Sequence, residues 1–381
     1  MIYLDNNATT QLAPSVFDAM LPFLEGGYGN PSSSYAAGRE TRIAVDRARE
    51  KVAALIGARQ TNEIVFTSGG TESDNWAILG SLEVSGKKHI VTTRVEHEAV
   101  RKLCQRLETR GFMVSWLDVD EEGLLDLDQL RESLTPDTAV VSVMMANNET
   151  GVIFPVAEIA SIVKEHSDAL VHVDGVNAVG KIPVDLGSTE IDLFSLSAHK
   201  FHGPKGVGAL YIRDGVSLSS LAIGGGQESG QRAGTEAVHQ IVGLGAAAQF
   251  VKDITPMEHV RVLRDRLETA ILQNISNTKL NGHAEHRLLN TSNISFENTN
   301  GEMILARLDA LGICVSTGSA CNSKDHAASP VLQAMNLPYS SSMGAMRFSL
   351  GRFNTDEETD FVVKVLPGII DDLLNFTGKR P

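Results

Sequence analysis

Leu170-Val171-His172-Val173-Asp174 and Leu193-Phe194-Ser195-Leu196-Ser197-Ala198-His199-Lys200 are the two stretches on which the fold turns. Each begins as a short apolar run and ends on a residue with chemistry of its own. Five comparable runs surround them: Ile64–Thr67, Ile90–Thr93, Val114–Leu117, Ala139–Met144 and Val207–Ile212. Helix-periodic segments separate these runs. Near-continuous apolar strands alternating with helices predict an α/β architecture, a mostly parallel seven-stranded sheet covered on both faces. If the two quoted strands are parallel, Asp174 and Lys200 share one sheet edge. That is the carboxyl edge, where open α/β sheets place ligands.

Outward from this centre the pattern changes. Val45, Ala48, Val52, Leu55 and Ile56 repeat at helical spacing ahead of the sheet, and Gly57 supplies a stop. Beyond it, the glycine-rich stretch Gly224–Gly234 breaks the alternation. A helical region follows from Val238 to Ile275, with a domain boundary expected inside it. Strand-like Ser292–Phe296 and a closing helix from Asp356 predict a smaller α+β domain. Thr355 and Glu358 have capping-box spacing at the start of that last helix.

Composition narrows the function. The 381 residues exceed one ordinary core. Forty-seven acids against 33 bases give a charge of −14. Such a surface argues against direct nucleic-acid binding and against anionic membranes. No apolar run reaches the ~18 residues of a membrane span. Met1-Ile2-Tyr3-Leu4-Asp5 lacks the basic start and apolar run of a signal peptide, so a cytoplasmic location is expected. The three cysteines form no CxxC pair, and neither a disulfide framework nor a metal site is expected.

A carboxylate and an amine on one sheet edge match what pyridoxal phosphate needs: a Schiff-base lysine and an acid to keep the pyridine nitrogen protonated. A surface lysine and an N-capping aspartate would give the same two letters. Ile64–Thr67 leads into Ser68-Gly69-Gly70-Thr71 and then a helix-like pattern through Trp76 and Leu79. A strand, glycines and a helix start offer backbone N–H groups and a helix dipole to an anion. The spacing is neither GxGxxG nor a Walker loop, and a plain turn would read alike. Ser197 and His199 could add donors. His97 follows the strand ending at Thr93, where a ring can stack on a planar cofactor, move protons or simply cap a helix. Asn147-Asn148 ends another apolar run, as a hydrogen-bonding pair or as turn residues.

The thiols differ in setting. Cys104 lies in an amphipathic helix and Cys314 in an apolar run, so both read as packed residues. Cys321, within Ser316-Thr317-Gly318-Ser319-Ala320-Cys321-Asn322-Ser323, sits among small polar residues, the setting of a nucleophile or of an incidental loop cysteine. Arg347 can clamp a carboxylate or make a structural ion pair.

Taken together the motifs resemble the NifS/IscS-type cysteine desulfurases, class V aminotransferases of the fold-type I pyridoxal-phosphate architecture. The resemblance runs the length of the chain, through Tyr3–Thr10, Gly29–Ser33, Thr67–Ser73, Ala146–Gly151, Ser197–Lys200, Arg232–Glu236, Gly318–Cys321 and Arg347–Arg352. It implies a large cofactor domain over residues 14–255 and a small domain from residues 1–13 and 256–381. It implies that Lys200 bonds pyridoxal 5′-phosphate, that Asp174 pairs with its ring nitrogen and that His97 stacks on the ring. Gly70, Thr71, Ser197 and His199 would hold the phosphate, with Thr235 from the neighbouring subunit of a homodimer. Asn148 would contact cofactor or substrate, and Arg347 with Asn30 would take the substrate carboxylate.

By the same resemblance, L-cysteine becomes L-alanine and its sulfur passes as a Cys321 persulfide to an acceptor protein. Iron–sulfur assembly, tRNA thiolation and DNA phosphorothioation are the acceptor pathways in view. A selenocysteine lyase or another pyridoxal-phosphate enzyme of this fold is the alternative activity, and a non-catalytic partner protein is the other rival. Three departures stand out. Asn177 replaces the family's usual Gln, which hydrogen-bonds the cofactor's phenolic oxygen, so that bond is expected to be longer or water-mediated. Tyr35 replaces a usual His. The chain stops soon after the Asp356–Asn375 helix, without the tail many relatives use to dock scaffold proteins.

Overall fold

The computed structural model describes residues 1–317 and 328–376. Its seven-stranded sheet runs, in spatial order, Ile64–Thr67, Gly208–Ile212, Leu193–Ser197, Leu170–Asp174, Thr138–Met144, His89–Thr93 and Met113–Leu117. The five strands from Leu193–Ser197 to Met113–Leu117 are all parallel. Gly208–Ile212 is antiparallel to both of its neighbours. Two reversals restore direction, so Ile64–Thr67 points the same way as Leu193–Ser197. The carboxyl ends of six strands therefore open on one edge.

Burial on both faces explains the near-continuous apolar runs. Val141, Val143, Val171 and Val173 pack into one large core with the helices Pro14–Glu25, Ala36–Leu55, Val156–His166 and Val238–Val251. Their neighbour Val140 joins Ile78, Val100, Cys104 and Leu107 on the other face. Successive strand residues point to opposite faces, so a strand buried on both must be apolar at every position.

A second core gathers Leu4 with residues between Met257 and Leu374. Its sheet is antiparallel, ordered Ser316–Thr317, Ala345–Ser349, Thr291–Phe296 and Thr278–Leu280. The helical region expected from Val238 to Ile275 is two helices, Val238–Val251 and Pro256–Asn274, parted where Pro256 opens the second. The Thr355–Glu358 capping box is present, each backbone N–H donating to the other's side chain at 3.3 Å. Among the described residues no helix is long and apolar enough to cross a membrane.

Candidate active site

Two glycines shape the sheet edge. Gly69 has φ 151°, a conformation that disfavours any side chain, and it turns the chain from the strand Ile64–Thr67 into the helix Gly70–Ser85. Gly175 follows Asp174, and a Cβ there would meet the Phe194 ring at 1.8 Å, so only glycine lets this strand end lie against its neighbour.

A cavity of about 170 Å³ lies on this edge, with Lys200, Asp174, His97, Ser197, His199 and the start of the Gly70–Ser85 helix in its wall. The pairing register sets Asp174 opposite Ser195 on one side and Met144 on the other. Gly70 and Thr71 are the first residues of the helix, and the amides of a helix's first turn have no intrahelical acceptor. With the Ser197 hydroxyl and the His199 ring they make an anion cradle. Two neighbours brace it: Glu72 accepts from Ser68 N at 2.8 Å, and Arg232 clamps Glu72 at 2.8 and 3.1 Å.

The ionisable groups here are far from their ordinary states. Burial raises the Asp174 carboxyl, opposed by the charges of His97 and Lys200. Asp174 Oδ1 accepts from Val176 N at 2.9 Å, which fixes the carboxylate at the cavity wall. Burial lowers His97, whose Nδ1 accepts from Ala99 N at 3.2 Å. A neutral ring with Nδ1 as acceptor carries its proton on Nε2. The helix-cap and active-site readings of His97 thus hold together. Lys200 Nζ donates to the backbone oxygens of Asn7 and Ala8, at 2.6 and 2.9 Å. The Lys200 amine is therefore met by the amino-terminal segment, whose Tyr3–Thr10 motif had suggested no such contact.

The adjacent amides divide their work. Asn147 is the turn residue: its Oδ1 accepts from Glu149 N and Thr150 N at 2.9 Å, and its Nδ2 donates to Val95 O. Asn148 lines the cavity. Asn177 lines it as well, but its amide is engaged by protein groups, donating to Asn147 O at 3.2 Å and accepting from Lys181 Nζ at 2.7 Å.

Other expected residues lie apart from the cavity wall. Arg347 stands behind Asn148, giving Nη1 to Asn148 O at 2.9 Å and Nη2 to Asp5 Oδ1 at 2.7 Å. Its anion-facing side is thus occupied by Asp5, and a substrate carboxylate would have to exchange with that side chain. Asn30 caps its own loop, accepting from Ser32 N at 2.9 Å, and Thr235 belongs to the glycine-rich segment; neither lines the cavity within one chain. Cys321 lies outside the described residues. Cys104 is buried and its thiol is pushed up to about 12, whereas Cys314 is only half-buried rather than packed away.

Three acids were missed by sequence reasoning. Asp74 lines the cavity, fully buried, with Oδ1 lacking a hydrogen-bond partner among the described residues and 3.6 Å from His172 Nε2. Burial and the Asp174 charge hold its carboxyl well above the usual range. Glu96 accepts from Thr93 Oγ1 and Met144 N through Oε1, has no partner for Oε2 among the described residues, and is pushed up to about 8 by burial. Glu149 is pushed up to about 7, chiefly by burial, and accepts from Ser329 Oγ at 2.5 Å. Asp74 lies one turn into a helix that is buried on most of its faces, and its sequence offers no periodicity that would mark it.

Comparison with known proteins gives the family and the fold. Residues 2–362 match the family model described as aminotransferase class-V. The chain is 51% identical over 376 residues to a cysteine desulfurase of Gluconacetobacter diazotrophicus, covering 98% of this chain and 94% of that one. A solved NifS-like protein superposes with a TM-score of 0.92 at 39% identity, over 98% of this chain and 100% of the other. The structure of SspA in complex with cysteine superposes with a TM-score of 0.83 at 33% identity, over 93% and 100%.

Proposed function

The chain belongs to the class-V aminotransferase family and is a cysteine desulfurase, and from that premise we propose that it works with pyridoxal 5′-phosphate held at the Lys200–Asp174 edge. The observation that carries this reading is the single cavity that brings together an amine, a buried carboxylate and a helix-start anion cradle. Those donors fit the cofactor. A buried carboxylate with raised affinity for a proton suits a protonated ring nitrogen, and the amides of Gly70 and Thr71 with Ser197 and His199 suit a phosphate.

When bound, the cofactor supplies a carbonyl carbon for the lysine and substrate amines and a ring that takes up electron density from the substrate's α-carbon. The chain's own residues do the rest. Asp174 holds the proton at the ring nitrogen. Lys200 would take the α-proton of L-cysteine on Nζ. His97, neutral with its proton on Nε2, lies against the ring and manages protons for the thiol steps. Asn148 contacts cofactor or substrate. Arg347, with Asn30, receives the substrate carboxylate. Cys321 takes the substrate sulfur as a persulfide, and L-alanine is the other product.

The protein acts in this reading as a cytoplasmic homodimer, with Thr235 crossing to the neighbouring subunit's phosphate, residues 14–255 as the cofactor domain and residues 1–13 and 256–381 as the small domain. An acceptor protein takes the sulfur onward to iron–sulfur assembly, tRNA thiolation or DNA phosphorothioation. Measuring L-alanine and protein-bound persulfide for wild type and Cys321→Ser tests the reading. The serine variant is expected to release no persulfide to an acceptor. Normal sulfur transfer by that variant would overturn the role of Cys321.

A further inference from the structure

Behind the cavity lies a second amine, that of Lys181, which is buried at 6% exposed, and no step of the reaction above uses it. Its Nζ donates to Asn7 Oδ1 at 2.9 Å and to Asn177 Oδ1 at 2.7 Å. Both partners are neutral amide oxygens, and among the described residues no carboxylate lies within ion-pair distance of it. Burying an amine without a counter-charge is costly, and such a group persists where it does work that an apolar side chain could not.

Its two partners lead to the site from opposite sides. Asn7 is 1% exposed and pinned by Ser349 Oγ, Thr291 Oγ1 and the Asn290 amide. Its main-chain oxygen receives Lys200 Nζ at 2.6 Å while its side-chain oxygen receives Lys181. One residue thus holds both amines. The two lysines also share a small cavity of about 20 Å³ on the far side of Lys200 from the larger one, room for a single water. On the other side, an amine can only donate to an oxygen, so Lys181 determines which end of the Asn177 amide is which. Oδ1 faces Lys181, the NH2 group donates to Asn147 O, and the side chain lines the cavity.

We propose that Lys181 is a positioning residue: through Asn7 it sets where the Lys200 amine rests, and through Asn177 it turns an amide donor toward the cofactor. The expected Gln-to-Asn loss of reach is thereby reinterpreted. The shorter side chain is drawn back onto Lys181 and held with its donor forward. Among the described residues the titratable groups that face Lys200 include Asp174 and His97 across the cavity, His199 one residue before it, and Lys181 behind. Burial, with the nearby charges of Lys200 and Arg347, holds the Lys181 amine well below its ordinary range, as expected for amines that compete for protons.

This inference rests on the pyridoxal-phosphate reading for one of its two measurements and is independent of it for the other. In cofactor-free protein, pH-dependent acetylation of Lys200, read by peptide mass spectrometry, reports its amine directly. Lys181→Met is expected to move that midpoint downward by about half a pH unit or more, because Asn7, released from Lys181, no longer holds its main-chain oxygen against the Lys200 ammonium. The dissociation constant for pyridoxal phosphate, read by absorbance, should rise about tenfold, the loss of one charge-assisted hydrogen bond. That rise should shrink when Asn177→Ala is already present, since both act through one amide. A Lys181→Met protein of unchanged melting temperature, with an unmoved midpoint and unchanged affinity, would overturn the proposal. Strict additivity with Asn177→Ala would do the same. Should Lys181→Met fail to fold, Lys181→Gln carries the same two measurements. Wild type that binds no pyridoxal phosphate would undo the cofactor reading alone, leaving the acetylation result to judge Lys181.

Discussion

Two groups of buried acids show how differently one chain treats the same problem. In the second core, Glu268 is completely answered: Arg287 meets both its oxygens at 2.6 Å and Ser292 Oγ donates at 2.6 Å. At the sheet edge, Asp74 and Glu96 each keep an oxygen without a partner among the described residues, and Asp174 faces the cavity with one backbone donor at Oδ1. All three edge acids are raised, with burial the first cause. A buried charge that is fully paired is architecture. A buried carboxyl held ready for a proton it does not yet share is chemistry.

Substitutions should separate the two groups. The largest stability effect is expected at the answered acid: Glu268→Ala strands Arg287 and should cost about 3–5 kcal/mol in denaturant unfolding. The folded remainder should turn over normally. A loss under 1 kcal/mol would erase the contrast. Next comes Asp174→Asn, which keeps the bond from Val176 N but cannot hold a proton at the ring nitrogen. Its kcat should fall ~10²–10³-fold, the size seen when one preorganised electrostatic group is lost. Its melting temperature should hold or rise, and a destabilised but active variant would reverse the assignment.

Glu96 gives a pH signature. Its folded pKa, about 8, lies above that of the unfolded chain, so the folded state binds the extra proton. Its contribution to stability is full below about pH 4.5 and is lost as the pH climbs toward 8, with a slope of up to about 1.4 kcal/mol per unit. Glu96→Gln should flatten the unfolding profile across that window, and an unchanged profile would remove Glu96 from the contrast. The smallest effect belongs to Ser292→Ala, which takes one of three donors from Glu268. It should cost about 1 kcal/mol and leave kcat untouched. A larger loss in kcat than in stability would tie that bond to the active site.

The contrast also marks what the sequence disclosed. Strand ends were legible because a doubly buried strand is apolar throughout, and a polar residue that stops it, such as Asp174 or Lys200, announces itself. The helix start after Gly69 was legible for a similar reason, since strand, glycines and helix are local. Pairings across long sequence distances were not. Nothing near Asn7 announced that it would receive both Lys200 and Lys181, and nothing near Asp5 announced Arg347. Asp74 and Glu96 were hidden by their neighbours, within the polar runs Glu72–Asn75 and Glu96–Glu98, whose helix and turn patterns explained them well enough. Neither Asn30 nor Thr235 lines the cavity.

The central claim is that the unanswered sheet edge, and Lys200 within it, carries the cofactor chemistry. Borohydride reduction of the protein loaded with pyridoxal phosphate, followed by peptide mass mapping, tests it most directly because two neighbouring lysines, Lys200 and the buried Lys181, compete for the answer. The account predicts one phosphopyridoxyl group per chain, on Lys200. A group fixed on Lys181 or on a surface lysine, or none at all, would contradict it.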